Sequence, residues 1–449
     1  MDTHSEPARP HLQRGLRNRH IQLIALGGAI GTGLFLGVAQ SVVLAGPGVL
    51  LGYAIAGLAA FLIMRQLGEM MVDEPVAGSF AHFADKYCGP FAGFAAGWNY
   101  WVLYVLVSMA ELSAVGVYIQ YWWPAVPTWL SALGCFIVIN GIGLANVRAF
   151  GETEFWFAIV KVAAVVAMIV YGVVLLSTGG AGPEAGVSNL WRHGGFLPHG
   201  LGGLALALPV IMFSFGGLEL IGIAAAEAAD PAHTIPRATN GVLWRVLVFY
   251  IGALAVLLAL YPWNRMAPGA SPFVLIFQAL DARVVAHALN LVVLTAALSV
   301  YNSCVYANSR MLYGLAVQGH APRALLRLDR RGVPLAALGV SALATLACVG
   351  INAALPGRAL GLLMGLAVAG MLINWAMICW SHLRFRAVAR AAGRTPAFAS
   401  PGWPVANWLC LAFLAAIVAM MWVTPDLRLS VWMIPAWLAA LFVGYRLSR

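Results

Sequence analysis

Charge is what this 449-residue chain has least of: only 9% of its side chains are Asp, Glu, Lys or Arg. Soluble domains carry about 25% charged residues, and a soluble chain of this length would need many more polar groups to cover its surface. Disorder is excluded on the same ground, since 62% of the residues are hydrophobic and the mean hydropathy is +0.86. Paired cysteines are also missing. Cys88, Cys135, Cys304, Cys348, Cys379 and Cys410 form no CxxC or CxxxxC pair, and most lie inside apolar runs. They read as small packing residues, and neither a disulfide framework nor a metal site is expected. The apolar–polar alternation of a transmembrane β-barrel is absent too; long unbroken apolar runs stand in its place. What remains is an all-α polytopic membrane protein.

Twelve stretches each hold about 20 predominantly apolar residues, enough for a hydrocarbon core about 30 Å thick, and two of them are longer. They run Gln22–Leu44, Gly48–Met70, Phe91–Tyr121, Thr128–Ala145, Phe155–Ser177, Leu201–Ala226, Val242–Pro262, Val284–Leu315, Leu335–Ala354, Leu360–Leu383, Val405–Val423 and Leu429–Tyr445. The first has no small-residue cleavage site and is too long for a signal peptide, so it is read as a retained span. The basic residues then sort by side. All except Arg192, Arg265, Arg283, Arg358, Arg428 and the in-span Lys161 fall on the side of the N-terminus. By the positive-inside rule both termini are expected in the cytoplasm. The net charge of +10 is therefore a topology signal rather than a nucleic-acid footprint.

Two spans are interrupted. Span 1 carries Gly27, Gly28, Gly31, Gly33 and Gly37, and each glycine costs a helix about 1 kcal/mol relative to alanine. Span 6 carries Pro209 and then Phe213-Ser214-Phe215-Gly216-Gly217-Leu218-Glu219. These two occupy corresponding places if spans 1–5 and 6–10 are two repeats, the sequence pointer to a transporter's midplane site. Unwound backbone survives in a membrane only where it lines a cavity or is buried in protein. Its freed N–H groups suit a carboxylate, and its freed carbonyls suit an ammonium. One broken pair can therefore hold both ends of an amino acid. Close packing of helices through small residues is the alternative.

Three ionisable residues lie well inside spans, namely Glu111, Lys161 and Glu219. Each costs several kcal/mol if left charged and facing lipid, so each is expected to face an interior. Glu111 shares a face of span 3 with Gly97, Tyr100, Tyr104 and Ser108. For each of the three a structural role stays open: a packing carboxyl at Glu111, a snorkelling amine at Lys161, a brace for the broken segment at Glu219. Span 8 is polar for a span, with Asn290, Thr295, Ser299, Asn302, Ser303, Asn308 and Ser309. No paired His–Glu metal motif or Ser–His constellation lies at membrane depth, and no repeated ring of ligands suggests a channel filter.

The run from Arg17 to Phe35, RNRHIQLIALGGAIGTGLF, resembles the opening signature of the bacterial amino acid transporter family within the amino acid–polyamine–organocation superfamily. Glu69-Met70, Pro75-Val76-Ala77-Gly78-Ser79-Phe80 and Phe213–Glu219 extend the resemblance over nearly the whole chain. Gly97–Val107 and Ser299–Tyr306 look most like the aromatic amino acid permeases of that family. Phenylalanine, proline, lysine, histidine and γ-aminobutyrate permeases share most of these motifs.

The resemblance implies a fold of twelve transmembrane helices, a five-plus-five inverted repeat with helices 1 and 6 broken, plus two C-terminal helices. The divisions would be a cytoplasmic tail over 1–20, spans 1–5 over 21–177, spans 6–10 over 200–383, a cytoplasmic loop over 384–404 and spans 11 and 12 over 405–446. It implies proton-coupled uptake of aromatic amino acids across the bacterial inner membrane, with the proton as coupling ion, no other cofactor, and no partner beyond substrate and lipid. By the same resemblance the substrate carboxylate would sit on Thr32 and the Gly33 N–H. The ammonium would meet carbonyls of Ala29, Phe213 and Gly216, with Ile30, Gly31, Ser214, Phe215 and Gly217 in the same broken segments. Phe213 falls at an aromatic gate. Tyr104, Ser108 and Glu111 match pocket positions, and Asn302 is assigned to the substrate site. Lys161 matches a span 5 lysine whose ammonium replaces a sodium ion, with Glu111 and Glu219 as further proton carriers.

Overall fold

The computed structural model describes residues 30–76, 79–144, 147–220, 222, 230–266, 271–280, 282–330 and 332–448. Among these, every regular element is helical. A π-helical turn, Gly33–Gly37, leads into α1 (Val38–Ala45), and a 3-10 turn over Gly46–Gly48 separates this from α2 (Val49–Asp73). There follow α3 (Ser79–Cys88), α4 (Pro90–Gln120), α5 (Thr128–Gly143), α6 (Val147–Thr178), α7 (Asn189–Arg192) and α8 (Gly200–Phe213). Next come α9 (Pro231–Arg245), a π-helical stretch Val246–Gly252, α10 (Ala253–Leu260), α11 (Pro272–Ala279) and α12 (Arg283–Val317). The chain ends with α13 (Leu335–Ala354), α14 (Ala359–Ala391), α15 (Val405–Val423) and α16 (Pro425–Leu447).

Nine helical stretches among the described residues are long and apolar enough to cross a membrane, the first of them joining spans 1 and 2. Two shorter apolar helices, α5 and α8, stand where spans 4 and 6 were expected. Local chemistry explains several boundaries. Proline opens α4, α9, α11 and α16, where its missing N–H costs nothing. Asp230 caps α9 by accepting the His233 N–H at 3.3 Å. The helix through α10 ends at Tyr261, extended at φ −140° and ψ 132°, because the residue before Pro262 is pushed out of the helical region. Span 7 was expected from Val242; the capped start at Pro231 carries it further.

The interior is built around α4, which packs along α12 and α14 and also meets α5 and α3. Polar side chains tie these helices together at places where two polar groups can satisfy each other. The Asn99 amide donates to the Gly370 carbonyl at 2.8 Å, and the Trp437 indole donates to Asn99 at 2.9 Å, joining α4 to α14 and α16. The Asn140 amide donates to the Tyr301 hydroxyl at 2.6 Å, joining α5 to α12. Toward the outside the character inverts. Large apolar residues such as Trp156, Ile137, Val170, Leu343 and Trp432 stand exposed along α5, α6, α13 and α16, the surface a hydrocarbon solvent requires. Among charged residues, Glu69 and Glu154 join Glu111, Lys161 and Glu219 in the buried interior, so more than three acids and bases lie inside.

Candidate functional site

The structure bears on both expected interruptions. Ile30 and Gly31, the first described residues, form a bend, and helix runs on from Thr32. In span 6, α8 stops at Phe213, and turns run through Ser214–Glu219 with the Gly216 N–H bonded back to the Phe213 carbonyl at 3.2 Å. Gly217 takes φ +99°, in the left-handed region that favours glycine. The two breaks touch. A Cβ on Gly33 would stand 2.6 Å from the Ser214 Cα and 2.9 Å from its backbone nitrogen, so only glycine permits the approach.

The span 6 break is braced from behind. The Tyr250 hydroxyl donates to the Ser214 carbonyl at 2.8 Å, and the Tyr53 hydroxyl shares a 3.0 Å hydrogen bond with the Ser214 hydroxyl. Phe215 turns away from the cavity into these two tyrosines, stacked on Tyr250 at 5.3 Å between centroids. The break is thus held by one hydrogen bond to a freed carbonyl, one to a side chain, and an aromatic stack worth about 0.5–1.5 kcal/mol beyond its buried area.

Between the breaks and α4, α12 and α14 lies a small cavity of about 30 Å³. Gly31, Gly33, Phe213, Ser214, Gly216 and Gly217 supply backbone or small side chains to its wall. Leu103, Val107, Val300, Ala367, Val368 and Met371 make the wall apolar, with Tyr104 and Cys304 beside them. Two carboxylates also reach it, Glu111 and Glu219. Glu111 accepts a 2.5 Å hydrogen bond from the Thr32 hydroxyl, and Glu219 accepts the Trp375 indole N–H at 3.4 Å. The second Glu219 oxygen and the Tyr104 hydroxyl are buried without a hydrogen-bond partner.

Lys161 sits behind this cavity, fully buried, which removes the snorkelling alternative. Its amine is 3.9 Å from Glu154, also fully buried, and Glu154 accepts the Ser299 hydroxyl at 2.6 Å.

The structure therefore brings Gly31, Gly33, Tyr104, Glu111, Phe213, Ser214, Gly216, Gly217 and Glu219 to one cavity. It puts others elsewhere. Thr32 reaches the cavity only through Glu111. Ser108 spends its hydroxyl on the Tyr104 carbonyl of its own helix at 2.7 Å. Asn302 and Ser303 of α12 face Glu154 rather than the cavity. Ile30 is buried off the cavity wall, and Ala29 lies outside the described residues. The sequence offers no signal for Tyr53, Tyr250 and Trp375, which look like ordinary apolar span residues, and the expected start of span 5 at Phe155 leaves Glu154 just outside it.

A largely apolar cavity between two unwound segments of a helical membrane protein, with carboxylates and a buried amine at its edge, defines a transporter of small amphiphilic solutes. The amino acid permease family model matches residues 20–449, and the chain belongs to that family. It is 63% identical over 434 residues to the aromatic amino acid transport protein AroP of Escherichia coli, covering 97% of this chain and 95% of that one. The AroP of Salmonella typhi is 62% identical over the same shares. An uncharacterized amino acid permease of Bacillus subtilis, YtnA, is 43% identical over 97% of this chain and 94% of its own. Among solved structures, a manganese transporter of Eremococcus coleocola aligns at a TM-score of 0.59 with 14% identity, over 96% of this chain and 93% of that one. That likeness shows a shared fold.

Proposed function

We propose that this permease takes up phenylalanine, tyrosine and tryptophan across the bacterial inner membrane together with protons, by alternating access. The observation that carries the reading is the cavity itself, an apolar wall from Leu103, Val107, Phe213 and Met371 closing on two unwound backbone segments. The names of relatives at 62–63% identity support the aromatic choice. The backbone of Gly31 and Gly33 would receive the substrate carboxylate, and carbonyls at Phe213 and Gly216 its ammonium, with Thr32 governing access through Glu111. The side chain would occupy the apolar part beside Tyr104 and Phe213.

Magnitudes fit this division of labour. Burying an aromatic side chain of about 150–250 Å² at about 25 cal/mol/Å² yields roughly 4–6 kcal/mol, which alone reaches about millimolar affinity or slightly better. The zwitterion contacts must supply the rest. One proton crossing about 150 mV supplies roughly 3.5 kcal/mol, enough to accumulate substrate a few hundredfold. Lys161, with Glu111 and Glu219 nearer the substrate, would carry that proton.

The matching architecture is twelve crossings with both termini cytoplasmic, two inverted five-helix repeats (21–177 and 200–383) and an added pair (405–446). The basic residues on the side of the N-terminus and the two opposed breaks favour it. A second reading, a cationic substrate, draws on Glu111 and Glu219 in the wall. The test is uptake of labelled phenylalanine into proteoliposomes with and without an inward pH gradient, against excess tryptophan, tyrosine, lysine or proline. Competition by tryptophan and tyrosine is expected. Competition by lysine but not tryptophan would overturn the aromatic assignment.

A further inference from the structure

Behind the substrate cavity lies a buried cluster of polar side chains. Lys161 and Glu154 of α6 face each other at 3.9 Å, two helical turns apart on one side of their helix, and both are 0% exposed. From α12, Ser299 donates to one Glu154 oxygen at 2.6 Å, and Asn302 and Ser303 are turned toward the same carboxylate. The second Glu154 oxygen, the Asn302 amide nitrogen and the Ser303 hydroxyl are all buried without a hydrogen-bond partner. None of these residues lines the substrate cavity. From α4, Glu111 lies close enough for its charge to act on Lys161, and Cys304 of α12 is a further titratable group near Glu154. Three acid–base groups thus stand in order from the cavity inward: Glu111, Lys161, Glu154.

Buried polar groups are ordinarily satisfied, and a half-satisfied network is costly. Leaving three unpartnered atoms around one carboxylate is wasteful for a brace. It suits a group that must exist in two protonation states, since the ionised acid needs donors and the protonated acid needs an acceptor. We propose that Glu154 is the second holder of the coupling proton. In this exchange the Lys161 ammonium transfers one proton to the Glu154 carboxylate, leaving a neutral amine and a neutral acid. Nothing else is consumed, and the pair has the same total charge before and after. The ion pair and the neutral pair are two states of one buried unit, and the unit retains the proton on Glu154 when Lys161 becomes neutral. Ser299 holds one oxygen in place, so the unpartnered oxygen takes the proton.

This inference rests on the proton-coupled reading above, and the two fail differently. The experiment compares the parent with Glu154→Gln in proteoliposomes, reading two quantities on each. One is phenylalanine accumulation under an inward pH gradient. The other is phenylalanine counterflow at equal pH, which needs no net proton movement. For Glu154→Gln the ratio of accumulation to counterflow is expected to fall at least tenfold, and Glu154→Asp should recover most of it. A parent-like ratio in Glu154→Gln would overturn the role of Glu154 alone. Absence of pH-driven accumulation in the parent would overturn the coupled reading with it. If Glu154→Gln does not fold, Ser299→Ala carries the test. The pH of half-maximal accumulation should move by at least half a unit, and an unmoved profile overturns the proposal.

Discussion

Adding one methyl group where the two broken segments meet should stop transport without unfolding the protein. In Gly33→Ala the new Cβ would lie 2.6 Å from the Ser214 Cα, with the Ser214 nitrogen and hydroxyl each at 2.9 Å. Carbon atoms pack comfortably at about 3.5–4.0 Å, so the two segments must separate by roughly 1 Å. The obstacle is mostly backbone, so a rotamer change cannot relieve it. Ser214 cannot retreat freely either, because Tyr250 holds its carbonyl and Tyr53 its hydroxyl. Overpacking of this kind costs about 1–3 kcal/mol, too little to unfold a large helical protein outright. At a binding site a displacement of about 1 Å can cost on the order of a hundredfold.

The expected result is a fall of about 30- to 100-fold in phenylalanine uptake at limiting concentration, with a monodisperse, folded protein in detergent. Two glycines serve as controls. A Cβ on Gly37 is crowded by the terminal methyl of Met364 alone, at 3.1 Å, an atom that can swing aside, while Val210 and the Thr32 carbonyl stand at ordinary contact distance, 3.9 and 4.0 Å. One on Gly339 meets nothing within 4 Å. Gly37→Ala and Gly339→Ala should transport within about threefold of the parent. If Gly33→Ala transports as well as these two, the contact between the breaks does not shape the site, and the reasoning fails.

Three further outcomes are expected. Thr32→Val removes the hydroxyl that Glu111 accepts; losing a hydrogen bond to a charged group costs about 1.5–3 kcal/mol, so uptake at low substrate should drop at least tenfold while Thr32→Ser stays near the parent. Glu69, fully enclosed, accepts from His382 at 2.9 Å and the Ser400 N–H at 2.6 Å and pairs with Arg386 at 2.6 Å; Glu69→Ala should cost about 3–5 kcal/mol, read as a lower denaturation temperature in detergent. Burial raises the Glu74 carboxyl, but Lys86 and His82 more than offset this and hold it below its usual range. Its stabilisation is therefore present above the ordinary carboxylate pKa of about 4.3 and fades as pH falls through the lower folded-state value. Glu74→Gln should cost at most about 1 kcal/mol near neutrality, and thermal denaturation of variant and parent should converge in acid.

The breaks were legible because their causes are local. Five glycines in span 1 and the Phe213–Glu219 run weaken a helix whatever surrounds it, and both bends stand where the glycines are. Buried charges were legible as a class, since a charged side chain in an apolar run must find an interior. Partnerships were not. Glu154 looked like a residue near a helix end, but α6 begins at Val147 and carries it well inside. Whether Asn302 faces the cavity or Glu154 depends on how α12 is turned against α6, a tertiary choice that helical spacing leaves open. Tyr53 and Tyr250 act at the break through hydroxyls that no periodic pattern separates from a packing aromatic.

The arrangement has one economical feature for a coupled transporter. Glu111 links the cavity to the buried polar cluster: it lines the substrate cavity, accepts from Thr32 of the first break, and acts by charge on Lys161. Under the proposed function a substrate carboxylate arriving at the first break competes with Glu111 for the Thr32 hydroxyl. A carboxylate that loses its donor is better stabilised by a neighbouring cation or by a proton. Substrate binding would therefore favour retention of positive charge beside Glu111, and a proton held there would favour binding. The two effects must be equal in size, because coupling between bound ligands is reciprocal. No long pathway is needed to link them, since a single side chain touches both events.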